Sequence, residues 1–244
     1  MKIRALLLAA LCLASAPEAG AEEAAAAPPP YAYGQTWKLT AGLYQMGGRT
    51  SGDLNLRGSH GDFNFWIGGY AGGGSGVARL GGEWGYKSEA FRFTPTLVLA
   101  SNGLVAGQLY AEAGTRAYLI AGASRTNLRD YFNLTFDPNE SLQLGVGLHL
   151  DPRTTLNAYT IFDVRLHTGQ QVTHGLFRRY LFPGHRLTVD LAYKSGHTDD
   201  GVFVRGLGAT VTWDWPRVFV RGAYDPYANF AGETMWRLGG GVRF

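Results

Sequence analysis

Glu233-Thr234-Met235-Trp236-Arg237-Leu238-Gly239-Gly240-Gly241-Val242-Arg243-Phe244 is the stretch whose reading decides the fold. In an extended strand successive side chains point to opposite faces, so Trp236, Leu238, Gly240, Val242 and Phe244 share one side and Met235, Arg237, Gly239, Gly241 and Arg243 the other. One side is apolar and the other carries arginines. Such a strand suits a wall with lipid on one side and water on the other.

Working back from that stretch, the chain from Trp37 onward divides into segments of about ten residues separated by turn signals, the spacing of a barrel built from short spans. The clearest segments are Phe91 to Ala100, where Arg92, Thr94 and Thr96 oppose Phe93, Leu97 and Leu99, and Leu104 to Ala113, where Gln108, Tyr110 and Glu112 oppose Val105, Leu109 and Ala111. Thr154 to Leu166 reads as one long strand, with Leu156, Ala158, Phe162, Val164 and Leu166 on the apolar face and Thr155, Asn157, Tyr159, Asp163 and Arg165 facing away. Pro95 is tolerable only at a bulge or a weakly paired position. Gly52 to Gly58, joined to Thr36–Met46 by residues 47–50, is short and polar.

Composition agrees. With 35 glycines, 13 tyrosines, 13 phenylalanines, 6 tryptophans and 17% charged residues, the chain is rich in small and aromatic residues. No stretch outside the leader is continuously apolar for the roughly 18 residues of a membrane helix, so a membrane crossing has to be made by strands. A net charge of +3 is too small to argue for nucleic acid.

The closing stretch, apolar at alternate positions and ending on Phe244, resembles the last strand of bacterial outer-membrane β-barrels, porin-like and small. That resemblance implies an all-β, antiparallel transmembrane β-barrel at 36–244, with Phe244 as an assembly signal for the barrel assembly machinery, outer-membrane lipid around it and the bacterial outer membrane as its location. Both ends of such a barrel lie on the periplasmic side, so the strand number is even. The segments number about 14, falling to about 12 if the hairpins at 47–50 and 114–115 fail, with about 10 as the alternative. Short turns at 151–153, 183–184 and 214–216 then face the periplasm, and connections at 72–75, 125–141, 167–171, 195–201 and 225–233 face outward.

The amino terminus reads as an export signal over 1–21. Lys2 and Arg4 precede an apolar run from Ala5 to Ala16, and Ala19-Gly20-Ala21 offers a cleavage site after Ala21. Residues 22–35, rich in Ala and Pro, read as an extended periplasmic tether. Cys12, the only cysteine, falls within the signal, and Leu11 before it argues against lipidation.

The water-facing side carries the candidate lumen residues Arg79, Glu83, Glu112, Arg116, Tyr159, Asp163, Arg165, Arg186, Asp190, Lys194, Arg217, Arg221 and Arg237, with Arg243 and Lys38 beside them. Two readings stand side by side: a polar lumen whose arginines favour small anionic solutes, or a filled wall in which acids and bases on neighbouring strands pair. The loop 125–140 carries Arg125, Asn127, Arg129, Asp130, Asn133, Asp137 and Asn139 among several aromatics. It is long enough to constrict the mouth, to present a surface to ligand or lipopolysaccharide, or to pack on itself as a cap.

Catalysis has little support. His149, His167, His174, His185 and His197 are scattered and none begins the His-x-Ser pattern of outer-membrane lipid hydrolases, while His197 with Asp199 and Asp200 is a weak protease pattern. The glycine runs at 72–74 and 239–241 do not lead into a phosphate-binding helix, and Asp137, Asn139 and Glu140 lack the spacing of a calcium loop. No cofactor and no metal site is expected. The functional expectation is a non-enzymatic channel for small anionic solutes or an envelope structural protein, with a lipid-modifying hydrolase as the alternative.

Overall fold

The computed structural model describes residues 37–72, 74–129 and 137–244. The expected signal and tether lie outside the described residues. Among the described residues fifteen strands run in chain order: β1 (Trp37–Met46), β2 (Arg49–His60), β3 (Phe63–Gly72), β4 (Ser75–Trp84), β5 (Tyr86–Lys87), β6 (Phe91–Ala100), β7 (Val105–Gly114) and β8 (Ala117–Thr126). They continue with β9 (Ser141–Asp151), β10 (Thr154–Asp163), β11 (Gln171–Phe182), β12 (His185–His197), β13 (Phe203–Asp214), β14 (Val218–Asp225) and β15 (Met235–Arg243). Chain neighbours pair antiparallel, β1 pairs with β15, and β4 pairs with β6, so the sheet closes on itself.

β4 and β5 are two parts of one span. Glu83 faces Thr96 and Tyr86 faces Phe93 in the same register, and the ladder lapses only between them, where Trp84 and Gly85 run past Thr94 and Pro95. Proline has no N–H to give, so the lapse falls where the sequence requires a weakly paired position. The barrel therefore has 14 full spans and the extra short strand β5. Both uncertain hairpins form, because Gly47 and Gly48 at φ 53° and 77° and Gly114 at φ 132° take backbone conformations that side chains disfavour.

Burial alternates along the spans as the sequence pattern requires. The outer surface is an apolar belt: Leu43, Leu54, Ile67, Leu80, Leu97, Leu109, Leu119, Leu144, Leu207 and Leu238 are all more than half exposed. An edgeless sheet with such a belt has its backbone groups satisfied within itself and its outer side chains matched to hydrocarbon. Aromatic rings mark both margins. At one end Trp37 meets Phe65, Tyr86 meets Phe91, and Trp213 meets Trp215; at the other Tyr224 meets Trp236 at 4.7 Å.

The two ends differ. At the first, spans are joined by short turns at 61–62, 88–90, 115–116, 152–153, 183–184 and 215–217; the second carries the longer connections 127–140, 164–170, 198–202 and 226–234. They are called the short-turn end and the long-loop end below.

Some boundaries differ from expectation, each for a local reason. β2 extends over Arg49–His60, because its polar inner positions meet partners in β1 and β3 and the turn needs only 47–48. β10 stops at Asp163 and does not reach Leu166: the Asp163 carboxylate accepts from the backbone N–H groups of Arg165 (3.1 Å), Leu166 (3.0 Å) and Thr168 (2.9 Å), which turns the chain out of the strand. β12 continues to His197.

Phe244 completes the seam, exchanging backbone hydrogen bonds with Trp37 at 2.9 and 3.0 Å. Deleting Phe244 removes that pair and is expected to cost about 1–3 kcal/mol, since each such bond contributes about 0.5–1.5 kcal/mol net. Arg237→Ala, by contrast, leaves the seam intact. Comparing the heat-modifiable gel mobility of the two variants checks this, and equal folded fractions would contradict it.

Candidate functional site

The inner wall is lined by the positions opposite the apolar belt, and its charged groups fall into two sets. Towards the short-turn end lie the cations Lys38, Arg57, Arg92, Arg178, Arg186 and Arg243, with Arg221 at mid-depth; the inward carboxylates there are Glu83, Glu112 and Asp214. Glu83 takes the Arg57 guanidinium and accepts from Asn64 at 3.0 Å. Glu112 accepts from the Tyr110 hydroxyl at 2.6 Å, with Arg92 at 4.0 Å. Asp214, itself buried, is shared: Arg186 donates to it from Nε (3.2 Å) and Nη2 (2.9 Å), and Arg243 donates to its other oxygen.

The set towards the long-loop end is more evenly matched. Arg79 lies 3.4 Å from Asp53, which also accepts from the Tyr44 hydroxyl. His174 presents Nε2 to Asp137 at 2.7 Å and Nδ1 to Asp190 at 3.0 Å, and its ring stacks on Tyr159 at 4.7 Å. Lys194 and Asp225 form an ion pair with no side-chain exposure on either partner. Arg237 lies near the long-loop start of β15, opposite Tyr44 and Ala223.

The candidates Arg116, Arg165 and Arg217 are not on the strand wall. Arg116 and Arg217 occupy exposed short turns, where their backbone carbonyls accept from His149 and Arg243. Arg165 lies beyond the turn made by Asp163 and donates to Glu140 at 2.9 Å and to the Thr126 carbonyl at 3.2 Å.

Of the residues expected in the outer loop, Asp130 and Asn133 lie outside the described residues. Arg125 and Arg129 are exposed, Asn127 ties the loop to Gly103 and Val105, and the Asn139 carbonyl accepts from Ser124. Asp137 turns inward to His174. Glu140 is the clasp at the loop base: burial acts to raise its carboxyl, but hydrogen bonds from Thr126 and Arg165 win and hold it below the ordinary range, so it is charged at neutral pH.

A second loop reaches into the barrel, and its sequence carries only faint signs of it. In 226–234, Ala228 and Phe230 are buried, and Phe230 packs with Val172, Ala192, Val204 and Ala223 on the inner face. Room comes from β13, whose inward Gly206 and Gly208 accept Pro226 and Tyr227; a Cβ on Gly206 would meet Pro226 Cγ at 2.8 Å. The same bare stretch lets Lys194 of β12 reach Asp225 of β14. Lys194 also donates to the Tyr227 carbonyl at 3.2 Å and lies 5.3 Å from the Phe230 ring. Tyr227, Asn229 and Phe230 all hold positive φ (52°, 53° and 56°), conformations that persist only where packing over-determines them.

No family model matches the chain, and no curated protein sequence does. Solved structures do. The Acinetobacter baumannii outer membrane protein Omp33 is similar over 86% of this chain and 98% of its own, with a TM-score of 0.53 at 9% identity. The KdgM porin follows at 0.49 and 10% identity, covering 85% of this chain and 99% of its own, and the NanC porin at 0.48 and 8%, covering 85% and 100%. At such identity the likeness is one of fold, and the comparison with Omp33 is the one that carries it.

Proposed function

We propose that this barrel, which has the outer-membrane porin fold, is a non-enzymatic channel of the bacterial outer membrane for small anionic solutes. One observation carries the reading: on the short-turn half of the inner wall, among the described residues, inward arginines and lysine outnumber the inward carboxylates. A fixed positive excess beside water raises the local concentration of anions and lowers that of cations. The apolar belt and the aromatic margins support the location, as does the fold shared with an outer membrane protein. The long-loop end then faces outward and the short-turn end the periplasm, with outer-membrane lipid around the belt, export through cleavage after Ala21, and insertion by the barrel assembly machinery.

A closed structural barrel of the envelope is the second reading, favoured by the acid–base pairs on the wall and by the inward fold of 226–234. At His174 hydrolase chemistry is disfavoured: both ring nitrogens are engaged by carboxylates, and neither is presented to a hydroxyl nucleophile. Planar-bilayer recording decides between channel and closed barrel. A tenfold salt gradient is expected to give a reversal potential on the anion side; intact barrels with no conductance above background would leave only the structural reading.

A further inference from the structure

The positive excess is not spread evenly; it is gathered on one ring. Phe219 points inward from β14 and is only 3% exposed. The Lys38 ammonium lies 4.6 Å from its ring centroid, the Arg243 guanidinium 5.2 Å and the Arg221 guanidinium 6.0 Å. Gly241 makes the arrangement possible, since a Cβ there would lie 2.6 Å from Phe219 Cε1. The ring is thus a platform with cations on it from three different strands.

Register sharpens the point. Lys38 lies directly opposite Arg243 on one side and Arg57 on the other, so three cations stand side by side on β15, β1 and β2. Like charges directly opposite one another destabilise a sheet. The carboxylates that reach them come from other strands and are fewer: Glu83 of β4 pairs with Arg57, and Asp214 of β13 is shared by Arg243 and Arg186. Towards the long-loop end, in contrast, Asp53, Asp137, Asp190, Asp225 and Glu140 each meet a cation or a histidine.

We infer that Lys38, Arg221 and Arg243 around Phe219 form an anion-binding subsite for carboxylate- or phosphate-bearing solutes, and that its one-sided position makes conduction asymmetric along the barrel axis. The second part rests on the channel reading; the first does not. An anion seated there relieves the repulsion among the row of cations, which is what makes its binding favourable. Because the fixed charge sits nearer the short-turn end, opposite polarities of voltage fill and empty the site unequally, and the current rectifies.

Citrate serves as the probe, with full-length barrel purified in detergent and chloride adjusted to constant ionic strength. Calorimetry is expected to show citrate binding that weakens as salt is raised, with affinity about fivefold lower in Lys38→Gln and lower again in Lys38→Gln/Arg221→Gln, as loss of one and then two partly screened charges requires. Removing cations from a crowded row leaves the barrel folded, which heat-modifiable mobility verifies; should the double variant fail to fold, the single variant suffices. In bilayers the wild type is expected to rectify, and to be blocked by citrate more strongly from the short-turn side, both effects shrinking in the variants. Absence of citrate binding, or equal binding by wild type and variants, overturns the subsite. Citrate binding without any conductance removes the channel reading and leaves the subsite standing. Binding with a linear current–voltage curve overturns the asymmetry alone.

Discussion

Lys194→Ala is expected to destabilise the barrel by about 3–5 kcal/mol, the usual consequence of stranding one member of a buried ion pair. Asp225 has no exposure in which to find water, and the pair spans β13 only because Gly206 and Gly208 leave its inner face bare. The lost ammonium also releases the Tyr227 carbonyl and the Phe230 ring, so loop 226–234 loses its inward anchor together with the compensation for its positive-φ residues. The urea midpoint followed by tryptophan fluorescence should fall, and protease should cut within 226–234 well before the barrel unfolds. Pairing Lys194→Met with Asp225→Leu removes both charges and should restore most of the loss, because apolar replacement of a whole buried pair is often neutral. A single variant within about 1 kcal/mol of wild type, well below what a stranded buried charge costs, would show the pair to be hydrated.

The second large effect is expected at Asp214. Its two oxygens hold Arg186 and Arg243, so Asp214→Ala sets two guanidinium groups against each other beside Lys38. Arg243 retains some access to water, which reduces the penalty below that of a dry pair, to about 2–3 kcal/mol. Selectivity moves the other way. With a fixed negative charge gone from the most basic part of the wall, anion-over-cation permeability should rise by at least about threefold at low salt and converge on wild type at high salt. Reversal potentials in a salt gradient, recorded beside the urea midpoint, check both halves. A less stable variant with unchanged reversal potential would place Asp214 away from the conducting path.

Most of the wall was legible because a period of two can be read locally. The inward placement of Arg79, Glu83, Glu112, Arg186 and Lys194 agrees with the outward apolar residues of their strands, such as Ala78 and Leu80 around Arg79 and Ala111 and Ala113 around Glu112. Arg178 and Arg179 show where that logic weakens: adjacent arginines carry no parity of their own, and only the first is buried inside. Arg57 lies in a short, polar segment, but the alternation of Asp53, Asn55 and Arg57 with Leu54 and Leu56 carried the signal for its inward placement. Arg165 was placed on the wall because alternation continues through Leu166; the Asp163 carboxylate, capturing three backbone N–H groups, ended the strand first. The contact of Lys194 with Asp225 joins strands that are not neighbours and depends on what the strand between them lacks. No local pattern announces it, and the inward fold of 226–234 was hidden for the same reason.

The lapse in the ladder at Gly85 and Pro95 gauges how deeply the barrel is immersed. Hydrocarbon supplies no donor to replace the one proline lacks, so the acceptor left without its partner at this lapse has to be served from the inner face of the wall or from the nearby margin. Trp84, Tyr86 and Phe91 surround the lapse on the outer surface, as rings at a lipid margin do. The waterline on the short-turn side is thereby drawn at these rings and not at Pro95 itself, which lies level with Leu109 of the apolar belt.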